Sequence, residues 1–233
     1  PMALREAGID PATVLRRVGL GPEFLSDERN RLPFPLGGRL LQACVEATGK
    51  HHFGLLASRH FELGMLGALG YVMRNESTVR AALRTLILNL HLHDRGAAVR
   101  LATVDSRRCA LTYAVFAPNT PAVDTMYDLS LMIGVRMLQT LCGPRWRALE
   151  VRLARATPRD ASPYRRHFEA PVVFNAPLSM VVFESRWLDA SIPGADPGLH
   201  RLLTTLLAAL DSATPRSLVD RIRLALGTSV LAG

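Results

Sequence analysis

With 233 residues, 48% of them hydrophobic, the chain is long enough to bury a core of its own, so no disulfide or metal staple is needed to hold it folded. Its cysteines, Cys44, Cys109 and Cys142, are odd in number, widely spaced and set among apolar neighbours, a usage that excludes a disulfide framework and points to buried thiols in a reducing, cytoplasmic setting. The net charge of +8 comes almost wholly from dispersed arginines, Lys50 being the only lysine, and no basic run or aromatic-basic interleaving marks a nucleic-acid surface.

The predicted elements begin with Asp10-Pro11, an N-cap and first helical position that open a short helix over Pro11–Val18. Leu36–Thr48 places Leu40, Leu41, Cys44 and Val45 on one face before Gly49 ends it. His51–His60 and Met65–Met73 predict two more short helices. Over Ser77–His93, Val79, Leu83, Leu86, Ile87 and Leu90 recur at helical spacing, with Arg80 and Arg84 outside the stripe. After Gly96 the period becomes two: Val99, Leu101 and Thr103 alternate with Ala98, Arg100 and Ala102. Leu111, Tyr113 and Val115 resume the alternation after Asp105-Ser106-Arg107-Arg108, which predicts a hairpin.

Pro121–Leu141 returns to helical spacing through Met126, Leu129, Ile133 and Met137, and Leu149, Val151 and Leu153 mark a third strand with one wet face. A short helix at Tyr164-Arg165-Arg166-His167-Phe168 then leads into an expected hairpin of Val172–Phe174 and Met180–Phe183 around Asn175-Ala176-Pro177. Leu199, Leu202, Leu203, Leu206, Leu207 and Leu210 form a dense stripe on the next helix, which breaks over Asp211–Pro215. Ser217, three residues before Asp220, starts a further helix to Leu226 in the manner of a capping box. Helices first, then strands with helices between them, predict an α+β fold: an N-terminal helical half and a mostly antiparallel sheet of about five strands, with helices packed on one face. Arg59, Glu62, Arg74, Asp128 and Arg136 interrupt the apolar runs before any reaches the ~18–20 residues of a membrane span, and the opening residues carry no signal-peptide pattern.

No arrangement of reactive side chains stands out. His91 and His93, two apart near a helix end, do not share a face, and His51, His52 and His60 lack carboxylates or thiols at ligand spacing, so no metal or other cofactor is expected. There is no Gly-x-Ser-x-Gly elbow and no cysteine in a protease context, which argues against an enzyme. Asp124 and Asp128 share a helical face, where a helix start accounts for Asp124. Gly64, Gly67 and Gly70 make no phosphate loop and fit close packing or helix breaks. What remains is an apolar pocket or an ordinary core built from Phe61, Met65, Tyr71, Met73, Tyr113, Met126, Tyr127 and Met132, a Met/Tyr mixture that suits an adaptable cavity. Arg100, Arg152 and His93 are the candidate anchors for an anionic ligand.

The order Tyr164-Arg165-Arg166-His167-Phe168, apolar strand, Asn175-Ala176-Pro177, apolar strand, Leu188-Asp189 and Pro193-Gly194-Ala195-Asp196-Pro197 resembles the N-terminal effector-binding, arabinose-binding-like domain of AraC/XylS-type transcriptional regulators. Gly8-Ile9-Asp10-Pro11, Phe53-Gly54-Leu55-Leu56, Leu66-Gly67-Ala68-Leu69-Gly70-Tyr71, Thr78 to Leu83, and Trp146 ahead of the third strand fit in the same order. The resemblance implies a sensor that binds a small-molecule effector, forms a homodimer, and touches DNA only through a C-terminal helix-turn-helix domain that this chain lacks. Residues 1–212 would be the effector-binding and dimerisation domain, and 213–233 a linker with the start of the next domain. The leucine stripe would serve as the dimer contact or, equally, as core packing; a folded monomer on Leu203→Glu with Leu207→Glu would assign it to the interface and loss of folding to the core. A ligand-free dimerisation domain, or a small hydrolase or transferase, are the alternative readings.

Overall fold

A computed structural model describes residues 1–26, 30 and 32–213. The expected start of a further domain at Ser217–Leu226 lies outside the described residues.

Helix α2 (Pro11–Arg17) starts as its sequence dictates, with the Asp10 carboxylate accepting the Ala12 N–H at 3.0 Å and Pro11 at the first position. With α1 (Met2–Glu6), α3 (Phe34–Thr48) and α4 (Phe53–Ala57) it encloses a small core of Leu4, Val14, Ala43, Cys44 and Phe53. Gly49 at φ 65° ends α3 in the left-handed conformation that glycine accepts without strain. The segment expected as one helix over Met65–Met73 is divided: a 3-10 turn at Leu63–Leu66 stops at Gly67, and α5 (Ala68–Arg74) follows. Then α6 (Val79–Asn89) begins at Thr78, whose hydroxyl caps the Ala81 N–H, and ends in a 3-10 turn over Leu90–Leu92.

The sheet has the strand order β1 (Ala97–Thr103), β2 (Arg108–Val115), β5 (Ser179–Glu184), β3 (Glu150–Arg152), β4 (Val172–Val173). β1 (Ala97–Thr103) and β2 (Arg108–Val115) form the expected antiparallel hairpin, with Ala97 opposite Val115 and Thr103 opposite Cys109. Asp105 shapes its turn by accepting the Arg107 and Arg108 N–H groups. α7 (Val123–Cys142) crosses the face of β2 and β5 (Ser179–Glu184) and is the longest helix of the core. The hairpin expected between Val172–Phe174 and Met180–Phe183 does not form. β3 (Glu150–Arg152) lies between them, antiparallel to β5 and parallel to β4 (Val172–Val173). After β4 the chain stays bonded to the stretch that follows β3, with Asn175 N–H to the Arg155 carbonyl at 2.8 Å and Ala176 N–H to the Leu153 carbonyl at 3.1 Å, so it does not turn back on itself. The two apolar runs marked both strands, but they carry no information on which strand is the neighbour.

α8 (Ser162–Phe168) precedes β4, and α9 (Pro197–Ala213) closes the described chain by packing on α5. Asp196 caps α9, its carboxylate accepting the Gly198 and Leu199 N–H groups at 2.7 and 3.0 Å, while its own N–H donates to Asn75 at the end of α5. Those backbone donors hold the Asp196 carboxyl below the usual carboxylate range. The Asp196-Pro197 step is therefore both the helix start and the clasp that seats α9.

The helical half joins the sheet half through glycine. A β-carbon at Gly54 of α4 would sit 2.3 Å from the Thr125 carbonyl and 2.8 Å from the Leu129 nitrogen of α7. Both atoms are backbone of one turn of α7, which cannot yield as a side-chain end would, so Gly54→Ala is expected to cost about 2–3 kcal/mol, read as a lowered urea midpoint at unchanged slope.

Candidate functional site

A cavity of about 850 Å³ lies between α7 and the sheet, within the range of small-molecule sites. On α7 the residues facing it follow helical spacing through Met126, Ser130, Gly134 and Met137. Gly134 is what makes room: a β-carbon there would meet only Leu111, at 3.8 Å. Val99, Leu111 and Val181 form the floor on the sheet, and Leu86 and Leu90 with Phe61 form a second wall. Leu32, Pro33 and Phe34 close another side, where the Phe34 ring lies so tightly on Gly96 that a β-carbon at Gly96 would fall 1.9 Å from it.

Polarity is concentrated at one end. His91, His93, Asp94 and Arg95 follow one another out of the 3-10 turn after α6 and line the cavity together with Tyr113. Asp94 is held in place by accepting the Gly96 N–H at 2.8 Å and the Tyr113 hydroxyl at 3.0 Å. Burial and, after it, the Asp94 carboxylate push the Tyr113 phenol well above its ordinary pKa, so it stays a neutral donor. Tyr127 braces Tyr113 edge-on with ring centroids 6.2 Å apart. His91 Nε2 meets Asp211 Oδ1 of α9 at 2.7 Å, and Leu210 beside it also lines the cavity.

Of the residues proposed from the sequence for an effector pocket, Phe61, Met65, His93, Tyr113 and Met126 line this cavity. The others do not. Met73 and Met132 are packed in the core, Tyr71 is 52% exposed on α5, and Tyr127 sits behind Tyr113. Arg100 is exposed on β1, and Arg152 is paired with Glu150 on β3. The leucine stripe is split: Leu207 is 5% exposed and Leu203 packs on the core, whereas Leu199, Leu202, Leu206 and Leu210 are exposed, Leu202 at 73%. Lining residues that the sequence did not mark as pocket candidates include Phe34, Leu90, His91, Ser130 and Gly134. A serine and a glycine four apart on the sheet side of an otherwise Leu/Met/Val helix was the available signal for the last two.

Outside the cavity, Asp128 of α7 is fully buried and accepts from Arg155 at 2.5 Å and from the Tyr164 hydroxyl at 2.8 Å. Arg155 also reaches Tyr164 Oη at 2.6 Å, joining α7, the segment after β3 and α8. Burial pushes the Asp128 carboxyl up to about 7, with Arg155 and Tyr164 pulling it down. Burial raises the thiols of Cys44 and Cys109 to about 11 and that of Cys142 to about 12, which leaves them protonated and unreactive at neutral pH. Among the described residues no group of three or more His, Cys, Asp or Glu is placed to hold a metal ion, and no helix is long and apolar enough to cross a membrane.

Comparison with known proteins agrees with this architecture. The family model for the arabinose-binding domain of AraC transcription regulators, N-terminal, matches residues 8–192. The HTH-type transcriptional regulator VirS, from two strains of Mycobacterium tuberculosis, is 26% identical over 220 residues, which cover 94% of this chain. The chain spans 65% of the length of these relatives. The crystal structure of the transcriptional regulator CdpR from Pseudomonas aeruginosa matches with a TM-score of 0.65 at 17% identity, over 94% of this chain and 70% of that one, a likeness of fold.

Proposed function

The chain belongs to the family of arabinose-binding N-terminal domains of AraC transcription regulators, and from that premise we propose that it is the effector-sensing and dimerisation portion of a DNA-binding regulator. The observation that carries this reading is the cavity between α7 and the sheet, apolar along its length and polar at the end where α9 closes it. Such a lining is poorly matched to a free sugar, whose hydroxyls need a partner on every side, so the family's name is not carried over to the ligand. An effector shifts a regulator only by binding its two arrangements with different affinity. α9 supplies that difference, because Leu210 forms part of the cavity wall and the same helix carries the outward leucines Leu199, Leu202 and Leu206. In this reading those leucines meet a second copy of the chain, and DNA is bound by a helix-turn-helix domain beyond the residues given.

Native mass spectrometry before and after denaturation is expected to show a discrete extra mass on the folded chain. Gly134→Phe should remove it by filling the cavity, and replacing a mid-helix glycine by Phe gains a few tenths of a kcal/mol of helix propensity, which works against unfolding. If the wild-type chain carries no such mass and no metabolite raises its melting temperature, the ligand-free dimerisation domain is the better reading.

A further inference from the structure

We propose that the ligand is an amphiphile with an apolar body and a single anionic head, and that the head displaces the Asp211 carboxylate from His91. This rests on the sensor reading above and goes further by assigning the head-group subsite and its readout. The donors at the polar end of the cavity decide the sign of the head. Asp94, the carboxylate lining that end, is turned to the protein, Oδ1 accepting the Gly96 N–H and Oδ2 the Tyr113 hydroxyl, so it is already the partner of two fixed donors. His91 and Arg95, by contrast, present N–H groups. The Arg95 Nε donates to the His91 backbone carbonyl at 3.4 Å, which holds the guanidinium at the same end of the chain segment that lines the cavity.

A carboxylate is in fact already seated there. Asp211 Oδ1 lies 2.7 Å from His91 Nε2, and because a carboxylate oxygen accepts, Nε2 carries the hydrogen. The His91 side chain is 12% exposed, so this is a sheltered contact at the cavity edge. Asp211 belongs to the last turn of α9, and Leu210 next to it lines the same cavity. A ligand lying with its body along the apolar lining and its anionic head at the polar end would accept the His91 N–H in place of Asp211 and press on Leu210, so that loading the cavity loosens the end of α9. Ligand and Asp211 compete for one donor, which is the differential interaction a switch needs.

The test compares three ten-carbon probes on the whole chain by titration calorimetry: decanoate, 1-decanol and decylammonium, with Gly134→Phe as the cavity-blocked control. Decanoate is expected to bind at least about tenfold more tightly than the other two, as charge-assisted hydrogen bonding allows. Asp211→Asn should tighten decanoate severalfold by weakening the internal competitor, and His91→Leu should bring decanoate down to the level of decanol. Equal binding of decanol and decanoate, preference for decylammonium, or no effect of Asp211→Asn each overturns the proposal, and the sensor reading survives so long as binding disappears in Gly134→Phe. If none of the probes binds while an extra mass persists in native mass spectrometry, the amphiphile assignment alone falls; if that mass is also absent, both do.

Discussion

An Arg155→Met chain is expected to lose about 3–5 kcal/mol of stability at pH 8, the size seen when one partner of a buried ion pair is removed. For a domain of this length that is a fall in melting temperature of about 10 °C. The cause is Asp128, which has no exposure and whose second oxygen, Oδ1, has no hydrogen-bond partner among the described residues. Methionine replaces the apolar stem of arginine but leaves the carboxylate with only the Tyr164 hydroxyl. The loss should depend on pH. Burial raises the folded-state pKa of Asp128 from 3.8 to about 7, so the folded protein holds this proton more tightly than the unfolded chain. The stability the group contributes is then fully present below about pH 4 and lost as the pH rises through about 7. Arg155 is the strongest influence pulling that value down, so without it the folded-state pKa climbs further. At pH 5 Asp128 is protonated and neutral in both proteins, and because only about one pH unit separates the wild-type value from pH 8, the gap between variant and wild type should narrow by about 1 kcal/mol. Melting curves at pH 5 and pH 8 check this; equal losses at both would assign the effect to packing of the arginine stem alone. The consequence reaches the cavity, since Asp128 is on α7 two residues from the cavity-lining Met126 and Ser130.

The sequence revealed most of what is local and little of what is relational. Caps, turns and periods at Asp10, Thr78 and Asp105 placed helix and strand starts within a few residues, because each rests on bonds to neighbours two or three positions away. The β4 neighbour was not legible, since Val172 and Val173 pair across the chain with Val151 and Arg152 in a contact that alternation does not encode. The same limit explains the candidate site. Met126 and Met132 have the same chemistry, yet six helical positions turn the second away from the cavity and into the core. Asp128 was paired in the sequence reading with Asp124, four residues back, whereas its charge partner Arg155 is 27 residues away. His91 was weighed as a metal ligand with His93; its partner, Asp211, is 120 residues distant.

The second large effect concerns α9. Leu202→Glu combined with Leu206→Glu is expected to turn a dimer into a folded monomer, weakening association on the order of a thousandfold or more, because each copy would bury two unpaired carboxylates at the contact. Folding should survive. Leu202 and Leu206 are exposed at 73% and 50%, and the inner side of α9 stays anchored by Leu207, by His200 against Glu76 at 3.3 Å, and by the Asp196 clasp on Asn75. The neighbouring pair, Leu203→Glu with Leu207→Glu, cannot separate interface from core, since Leu207 is 5% exposed and Leu203 packs against the same cluster. It is expected to unfold the domain, at a cost of about 2–5 kcal/mol for the buried leucine alone. Sedimentation and thermal melts of the two double variants therefore give opposite signatures: a lower mass at an unchanged melting temperature for the outer pair, and loss of the cooperative transition for the inner pair. A wild-type chain that sediments as a monomer at high concentration, or an outer variant that stays dimeric, would remove α9 as the interface. Its outward leucines would then be left for another part of the full-length protein, and the link from Leu210 in the cavity to the helix surface would run within one chain.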